Sequence, residues 1–224
     1  MANIFTSSIG KKFIMSITGL FLIIFLTLHA TINGLYLVSP DLFRAGCDIM
    51  ALPVVTVMVP ILALGFIIHI IYGIYLSWTN LKARGNQRYA VHNKSKTDNW
   101  AAKNMLVLGI IILGFIAFHL THFWSDMQLQ QFKGVPHEQL TDPALLMTQI
   151  FGKVWVVVLY IIWFAAVWFH LTHGFWSAFH TLGWNNDIWI KRLKVISYIY
   201  ASLLFIVFAS VAIVACMRAH GIIG

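Results

Sequence analysis

Charged residues are scarce in this sequence. Of 224 residues, 10% are charged and 60% are hydrophobic, whereas roughly a quarter of the residues in a soluble globular domain are charged. The shortage of charge excludes an ordinary soluble domain and favours a protein that is embedded in a membrane.

Cysteine is also scarce, and its spacing excludes two kinds of site. The chain has two cysteines, Cys47 and Cys216, and they form no CxxC motif. A zinc or iron-sulfur site built from this chain alone is therefore excluded. Both cysteines are expected near the same membrane face, and the sequence favours two unpaired thiols over a disulfide.

The sequence contains five long uncharged stretches. A helix needs about 20 mainly apolar residues to cross the hydrocarbon core of a bilayer. The predicted fold is an all-α integral membrane bundle, a single membrane domain over residues 1–224. Its five transmembrane helices are predicted at about 13–38, 53–81, 103–126, 153–182 and 192–217. The first stretch is too long for a signal-peptide core of about 7 to 15 residues, so we expect it to remain as a helix.

The basic residues are divided unequally between the two predicted faces. One face holds eleven of them, namely Lys11, Lys12, Lys82, Arg84, Arg88, Lys94, Lys96, Lys103, Lys191, Arg192 and Lys194, and the other holds Arg44, Lys133, Lys153 and Arg218. The positive-inside rule predicts a cytoplasmic amino terminus and an external carboxyl terminus. The net charge of +8 thus reports membrane topology, and we expect no nucleic-acid partner.

Six histidines lie in the interior of the predicted spans, where ionisable residues are rare and usually functional, and His180 lies near the inner end of the fourth span. Each helical residue advances about 1.5 Å along the axis. This spacing places His29 and His119 about 10 to 14 Å from the outer boundary, and His69 and His170 about 25 Å from it. Below, His69 and His170 are called the inner pair, and His29 and His119 the outer pair.

Two pairs of histidines at two depths fit two stacked haems, each with two axial histidines. A single intramembrane histidine is more often a core residue bonded to a backbone carbonyl, but six together need a common explanation. Ligation by two histidines leaves no open position on the iron, so the predicted role is electron transfer. The inner pair also has small neighbours at one helical turn, Gly65, Gly73, Ala166 and Gly174, which leave space for a flat ring.

The remaining two histidines, His122 and His173, are second-rank ligand candidates. Each follows a preferred ligand by three residues and faces roughly the same direction, but its depth matches the opposite helix less well. They are also candidates to bond a propionate, a water molecule or a quinone. The block Phe118 to Trp124 echoes the block Phe169 to Trp176, which is typical of two similar local tasks.

The residues around these histidines resemble a known family. The resemblance covers almost the whole chain, and its most specific parts are His69-Ile70-Ile71-Tyr72-Gly73 and His170 followed by Gly174-Phe175-Trp176. Further matches are Phe25-Leu26-Thr27-Leu28-His29 with Asn33, and Phe118-His119. The sequence resembles the five-helix, two-haem cytochrome b membrane anchor (type B) of succinate dehydrogenases and quinol:fumarate reductases.

The resemblance implies a function and partners. His69 and His170 would bind the inner haem b, and His29 and His119 the outer one. Electrons would pass between menaquinone, or another quinone, and a flavoprotein subunit and an iron-sulfur subunit on the cytoplasmic side. The chain would be a subunit of an oxidoreductase in the prokaryotic cytoplasmic membrane, and two such heterotrimers can form a dimer. The basic loop from Lys82 to Lys103 is a candidate docking surface for the partners or for anionic lipid.

The quinone site and the proton path are less well defined by the sequence. Asp41, Asp48 and Asp126 are weak candidates for proton acceptors near the outer face, since each is more often a solvated helix-end or loop charge. Some members of the family carry a proton-transferring glutamate two residues before the last ligand, where this chain has Trp168. The sequence leaves open the quinone species, the haem potentials and the direction of catalysis.

Two other classes of function remain open. A cytochrome b subunit of a hydrogenase or formate dehydrogenase would also be a bundle with several histidines. A haem-free transporter with a histidine proton relay is the other alternative, although transporters often carry inverted repeats and none is visible here.

Overall fold

A computed structural model describes residues 7–84, 100–136 and 139–223. Nine α-helices and one π-helical turn are present in these residues. They are α1 (Ser8–Val38), α2 (Pro40–Met50), α3 (Pro53–Arg84), α4 (Trp100–Lys103), α5 (Met105–His119), the π-helical turn (Leu120–Trp124), α6 (Gln128–Phe132), α7 (Pro143–Phe151), α8 (Val154–Thr181) and α9 (Asp187–Ala219).

Five helical segments are long and apolar enough to cross a membrane, and the described residues contain no strand. These segments are α1, residues 53–83 of α3, α5 with the π-helical turn, α8 and α9. The predicted all-α bundle with five spanning helices is therefore confirmed, and the protein is a multi-pass membrane protein. Most of the basic loop, residues 85–99, lies outside the described residues, as do His137 and Glu138.

Two spanning helices begin earlier than the uncharged stretches that predicted them. The Ser7 side chain accepts a hydrogen bond from Gly10 N at 3.0 Å, and the Asn186 side chain accepts one from Trp189 N at 2.8 Å. Capping residues satisfy backbone N–H groups that have no helical partner. The caps therefore set the start of α1 and α9, and the following lysines lie on the helices.

Helix α8 lies at the centre of the bundle. It packs antiparallel to α9 and also contacts α1 and α5, while α1 packs against α3 and α9. In the part of the chain that the structure describes, neither α3 and α8 nor α1 and α5 are among the closely packed helix pairs. Ring contacts between histidine side chains join the helices of each of the latter two pairs.

The bundle has two distinct ends. The basic end carries the starts of α1 and α9, with Lys11 and Lys194, and is the predicted cytoplasmic face. The opposite end, called the capped end, carries the short helices α2 and α7. The sequence predicted loops there.

An ion pair joins the two short helices of the capped end. Arg44 of α2 contacts Asp142, which precedes α7, at 2.8 Å, and it contacts Asp41 at 2.6 Å. Asp142 also caps α7 by accepting from Ala144 N at 2.8 Å. The Arg44 hydrogen bond lowers the pKa of Asp142 below its ordinary value, and the same bond raises the pKa of Arg44.

Candidate functional site

The structure brings the four first-rank histidines together as two pairs. The rings of His29 and His119 lie 5.9 Å apart between centroids, at an interplanar angle of 89°. The rings of His69 and His170 lie 6.4 Å apart, at 64°. These are the pairs that the depth calculation predicts.

The spacing of both pairs suits a shared metal ion. With metal–nitrogen bonds of about 2 Å and ring nitrogens about 1.2 Å from their centroids, two imidazoles on opposite sides of one metal have centroids roughly 6.4 Å apart. Both observed separations lie within about half an ångström of this value. The donor set, two neutral imidazoles, is the one that haem iron accepts in electron-transfer cytochromes.

Both pairs bridge helices that are not close neighbours. His69 lies on α3 and His170 on α8, and these are helices whose backbones do not pack closely in the described residues. His29 on α1 and His119 on α5 have the same relationship. The contact within each pair is therefore made by side chains, across helices whose backbones are not closely packed in the described residues.

The two pairs lie at different levels of the bundle. The level of the inner pair is marked on α1 by Gly19, where an added Cβ would lie 3.4 Å from His69 Cε1. His29 follows Gly19 by ten residues, or about 15 Å of helix. The separation between the pairs thus falls at the upper end of the predicted range.

One member of the inner pair has a defined hydrogen-bond partner. Thr18 Oγ1 lies 3.4 Å from His69 Nδ1 and contacts Ile14 O at 2.9 Å. When the hydroxyl donates to this carbonyl, its oxygen can accept from His69 Nδ1–H. That tautomer would leave Nε2 with a free lone pair, the form in which histidine binds a metal.

The opposite members of both pairs have unpartnered nitrogens. His119 Nδ1 and His170 Nδ1 are buried and have no hydrogen-bond partner in the described residues. A buried polar atom without a partner is uncommon and needs an explanation. Gly174 places no side chain on α8 one turn from His170, and an added Cβ there would lie 3.8 Å from His170 Cδ2. These observations fit residues that surround an additional group.

The second-rank histidines have other neighbours. His122 Nδ1 lies 3.3 Å from Tyr160 Oη, and the His173 ring meets the Trp176 ring at 5.0 Å. Neither has a ring contact with another histidine in the described residues. This geometry is consistent with the lower rank of His122 and His173 as axial ligands. That they bond a propionate, a water molecule or a quinone stays a prediction.

The π-helical turn is a feature that the sequence did not reveal. It runs from Leu120 to Trp124 and includes the hydrogen bond from Ser125 N to Leu120 O at 2.9 Å. Such turns are rare and occur often at functional sites. The equivalent block in α8 is regular α-helix. The sequence repeat therefore has two different local structures, and His122 and His173 face different surroundings.

Two glycines near His69 let side chains of α1 approach α3 closely. A Cβ at Gly65 would lie 2.8 Å from the Phe21 ring, and one at Gly73 would lie 3.4 Å from Met15 Cε. The expectation that these glycines leave space for a cofactor ring stays a prediction.

The acidic quinone-site candidates lie at or near the capped end. Asp41 is paired with Arg44, and its side chain is 89% exposed. Ser125 Oγ donates to Asp126 at 3.4 Å, and Asp48 is exposed on α2. Their role in proton transfer stays a prediction. Trp168 donates from Nε1 to Ser202 Oγ at 3.0 Å.

Fold and site together define a multi-pass helical membrane protein with two facing histidine pairs in its interior. The chain is 24% identical over 180 residues to the succinate dehydrogenase cytochrome b558 subunit of Bacillus subtilis (strain 168), and the alignment covers 79% of each chain. This similarity, although modest in identity, supports the family resemblance. No family model matches the chain. No solved structure matches it.

Proposed function

We propose that this chain is the haem b-binding membrane anchor of a succinate:quinone oxidoreductase, working as a succinate dehydrogenase or a quinol:fumarate reductase. The observation that carries the proposal is the pair of facing histidine contacts, each at a spacing that suits one metal ion. The similarity to a succinate dehydrogenase cytochrome subunit supports the same assignment. The relative's printed name supplies the class of complex.

In this proposal His69 and His170 hold the inner haem, and His29 and His119 hold the outer haem. Haem iron with two histidine ligands cycles between two oxidation states and transfers single electrons. The chain positions the ligands on four different helices, and Thr18, whose Oγ1 lies 3.4 Å from His69 Nδ1, would orient the His69 ring. The apolar surroundings of both pairs keep water away from the ligands.

The quinone is proposed to bind beside the outer pair. An apolar groove of about 370 Å³ is lined by α5 and α8, and its rim includes the exposed Ile110 and Ile111. Phe118, which lines the groove, precedes the ligand His119 and contacts the His122 ring at 4.0 Å. An apolar groove next to an electron-transfer centre suits a lipid-soluble quinone such as menaquinone.

Partners and orientation complete the proposal. Flavoprotein and iron-sulfur subunits would bind at the basic end, on the cytoplasmic side predicted by the positive-inside rule. Lys11, Lys12 and Lys82 are exposed or partly exposed there. Two such heterotrimers would form a dimer. Dicarboxylate chemistry would take place on the flavoprotein, and this chain would exchange electrons with the quinone.

The decisive experiment is purification of the intact complex from the membrane, followed by a reduced-minus-oxidised visible spectrum. We expect a b-type alpha band from two haems, a flavoprotein and an iron-sulfur protein that co-purify, and quinone-linked succinate or fumarate turnover. Absence of the alpha band would refute the haem proposal and favour a haem-free transporter. Partners without dicarboxylate turnover would favour a hydrogenase or formate dehydrogenase subunit instead.

A further inference from the structure

Two buried ring nitrogens lie near the basic end of α8. His173 Nδ1 and Trp176 Nε1 have no hydrogen-bond partner in the described residues. Trp176 is 3% exposed, and its ring is nearly perpendicular to that of His173, with centroids 5.0 Å apart. An indole N–H can only donate. This position in the structure therefore suits a group that accepts hydrogen bonds.

A cation lies against the same indole ring. Lys194 of α9 places Nζ 4.8 Å from the centroid of the Trp176 ring. Lys194 follows the first turns of α9, and α9 packs antiparallel to α8, so both residues lie near the basic end. The Trp176 N–H donor, the His173 ring nitrogen and the ammonium group together suit an anion with several acceptor oxygens, such as a carboxylate or a phosphate.

The distance from the inner pair indicates which anion fits. His173 and Trp176 follow His170 by three and six residues, which is about 4.5 and 9 Å along α8 toward the basic end. A haem held by His170 would carry two propionate carboxylates, and His173, Trp176 and Lys194 would be available to hold one of them. A carboxylate of the inner haem is therefore the anion that the neighbourhood of His170 favours.

We propose that His173, Trp176 and Lys194 form a carboxylate-binding site, and that its occupant is a propionate of the inner haem. This inference rests on the proposed function. Compensation of the negative propionate charge stabilises the reduced haem, because the reduction potential of the iron depends on local charge and hydrogen bonds. Loss of a donor or of the cation should therefore lower the reduction potential of the inner haem and leave the outer haem unchanged.

The test uses two variants of the intact complex. Trp176→Phe keeps an aromatic ring and removes the N–H donor, and Lys194→Gln removes the charge. Potentiometric titration of the alpha band is expected to show the inner haem at least threefold harder to reduce, about 28 mV lower for one electron. Lys191→Gln is the matched control, since it removes a charge from an exposed position on the same helix. It should leave both potentials near the parent values.

Redox-difference infrared spectra with haem labelled by ¹³C at the propionate carboxyls identify the occupant. We expect the labelled band to shift in Trp176→Phe. A potential that responds to replacement of phosphatidylglycerol by phosphatidylcholine, with the labelled band unmoved, would identify a lipid phosphate and overturn the propionate assignment. Two bound haems whose potentials match the Lys191→Gln control would refute the site and leave the proposed function intact. A parent complex without haem would refute the proposed function itself.

Discussion

Thr18 Oγ1 lies 3.4 Å from His69 Nδ1, so α1 supports a candidate ligand that α3 carries. An acceptor at the second nitrogen makes a histidine more basic and fixes its orientation. A more basic ligand stabilises the oxidised metal. The contact therefore links the packing of α1 on α3 to the proposed electron transfer.

Removal of the Thr18 hydroxyl should raise the potential of the inner haem. Thr18→Val keeps the shape of the side chain and removes the acceptor, and we expect a two- to threefold easier reduction, about 20 to 30 mV. Potentiometric titration of the purified complex measures this change. Thr18→Ser keeps the hydroxyl and is the control that should retain the parent potential. Equal potentials in the parent and both variants would contradict a role for the contact.

The histidine pairing predicts which substitutions lose the same haem. His69→Ala and His170→Ala should each remove the inner haem, and His29→Ala and His119→Ala the outer one, because one remaining imidazole holds the iron weakly. Each variant should retain about half of the parent haem content if assembly proceeds. Haem quantification with potentiometric titration identifies the missing centre. Any other grouping of the four variants would refute the pairing.

A bulky residue in the groove should impair quinone turnover. Gly114 lines the groove, and an added Cβ there meets no described atom within 4 Å, so Gly114→Phe fills space without disturbing the fold. We expect about a tenfold loss in kcat/KM for the quinone, roughly 1.4 kcal/mol. Steady-state turnover and the haem spectrum measure activity and integrity.

Gly109→Phe is the matched control for the groove, since Gly109 is on the same helix and its Cβ position is equally open, but it does not line the groove. Turnover should stay near the parent value in this variant. An equal loss in both variants, or no loss in Gly114→Phe, would mean that quinone binds elsewhere.

The ion pair of the capped end predicts a pH dependence of stability. The pKa of Asp142 is lowered in the folded protein, so its contribution is fully present above the unfolded pKa of about 3.9 and is lost as pH falls through the lower folded value. Thermal unfolding in detergent between about pH 3 and 6 should show a smaller loss of stability on acidification in Asp142→Asn than in the parent.

The capping role of Asp142 can be separated from its charge. Asn caps helices about as well as Asp, so Asp142→Asn should cost only about 0.2 to 1 kcal/mol at neutral pH, the range for exposed ion pairs. Asp142→Ala also removes the cap and should cost about 1 kcal/mol more. Equal stability of the two variants would contradict the capping role.

Cys47 should react slowly with thiol reagents. It is a free thiol, and burial is the main cause that raises its pKa to about 12. Because the thiolate is the reactive form, alkylation by maleimide at pH 8 should be at least tenfold slower in the folded than in the denatured protein. Mass spectrometry of peptides distinguishes Cys47 from Cys216. Equal rates in both states would contradict the burial.

The capped end illustrates what required the three-dimensional structure. The predicted spans leave residues 39–52 and 127–152 as connections, yet these connections contain α2 and α7. Pro40 and Pro143 lie in the first turns of these helices, a position that suits proline. Ser39 accepts from Leu42 N at 3.1 Å, and Asp142 caps α7. The pairing of Arg44 with Asp142 joins residues 98 positions apart, a separation over which no local pattern carries information.

The sequence by itself determined the five spanning helices and the depth of each candidate ligand. Both follow from one-dimensional quantities, since apolar length matches bilayer thickness and each residue adds a fixed rise. Only the tertiary structure decided which side chains meet: Thr18 with His69, His122 with Tyr160, and Lys194 with Trp176. Such contacts depend on the rotation of each helix about its axis and on which helices are neighbours, and both arise from the packing of all the helices together. They also depend on local departures from regular α-helix, such as the π-helical turn after His119.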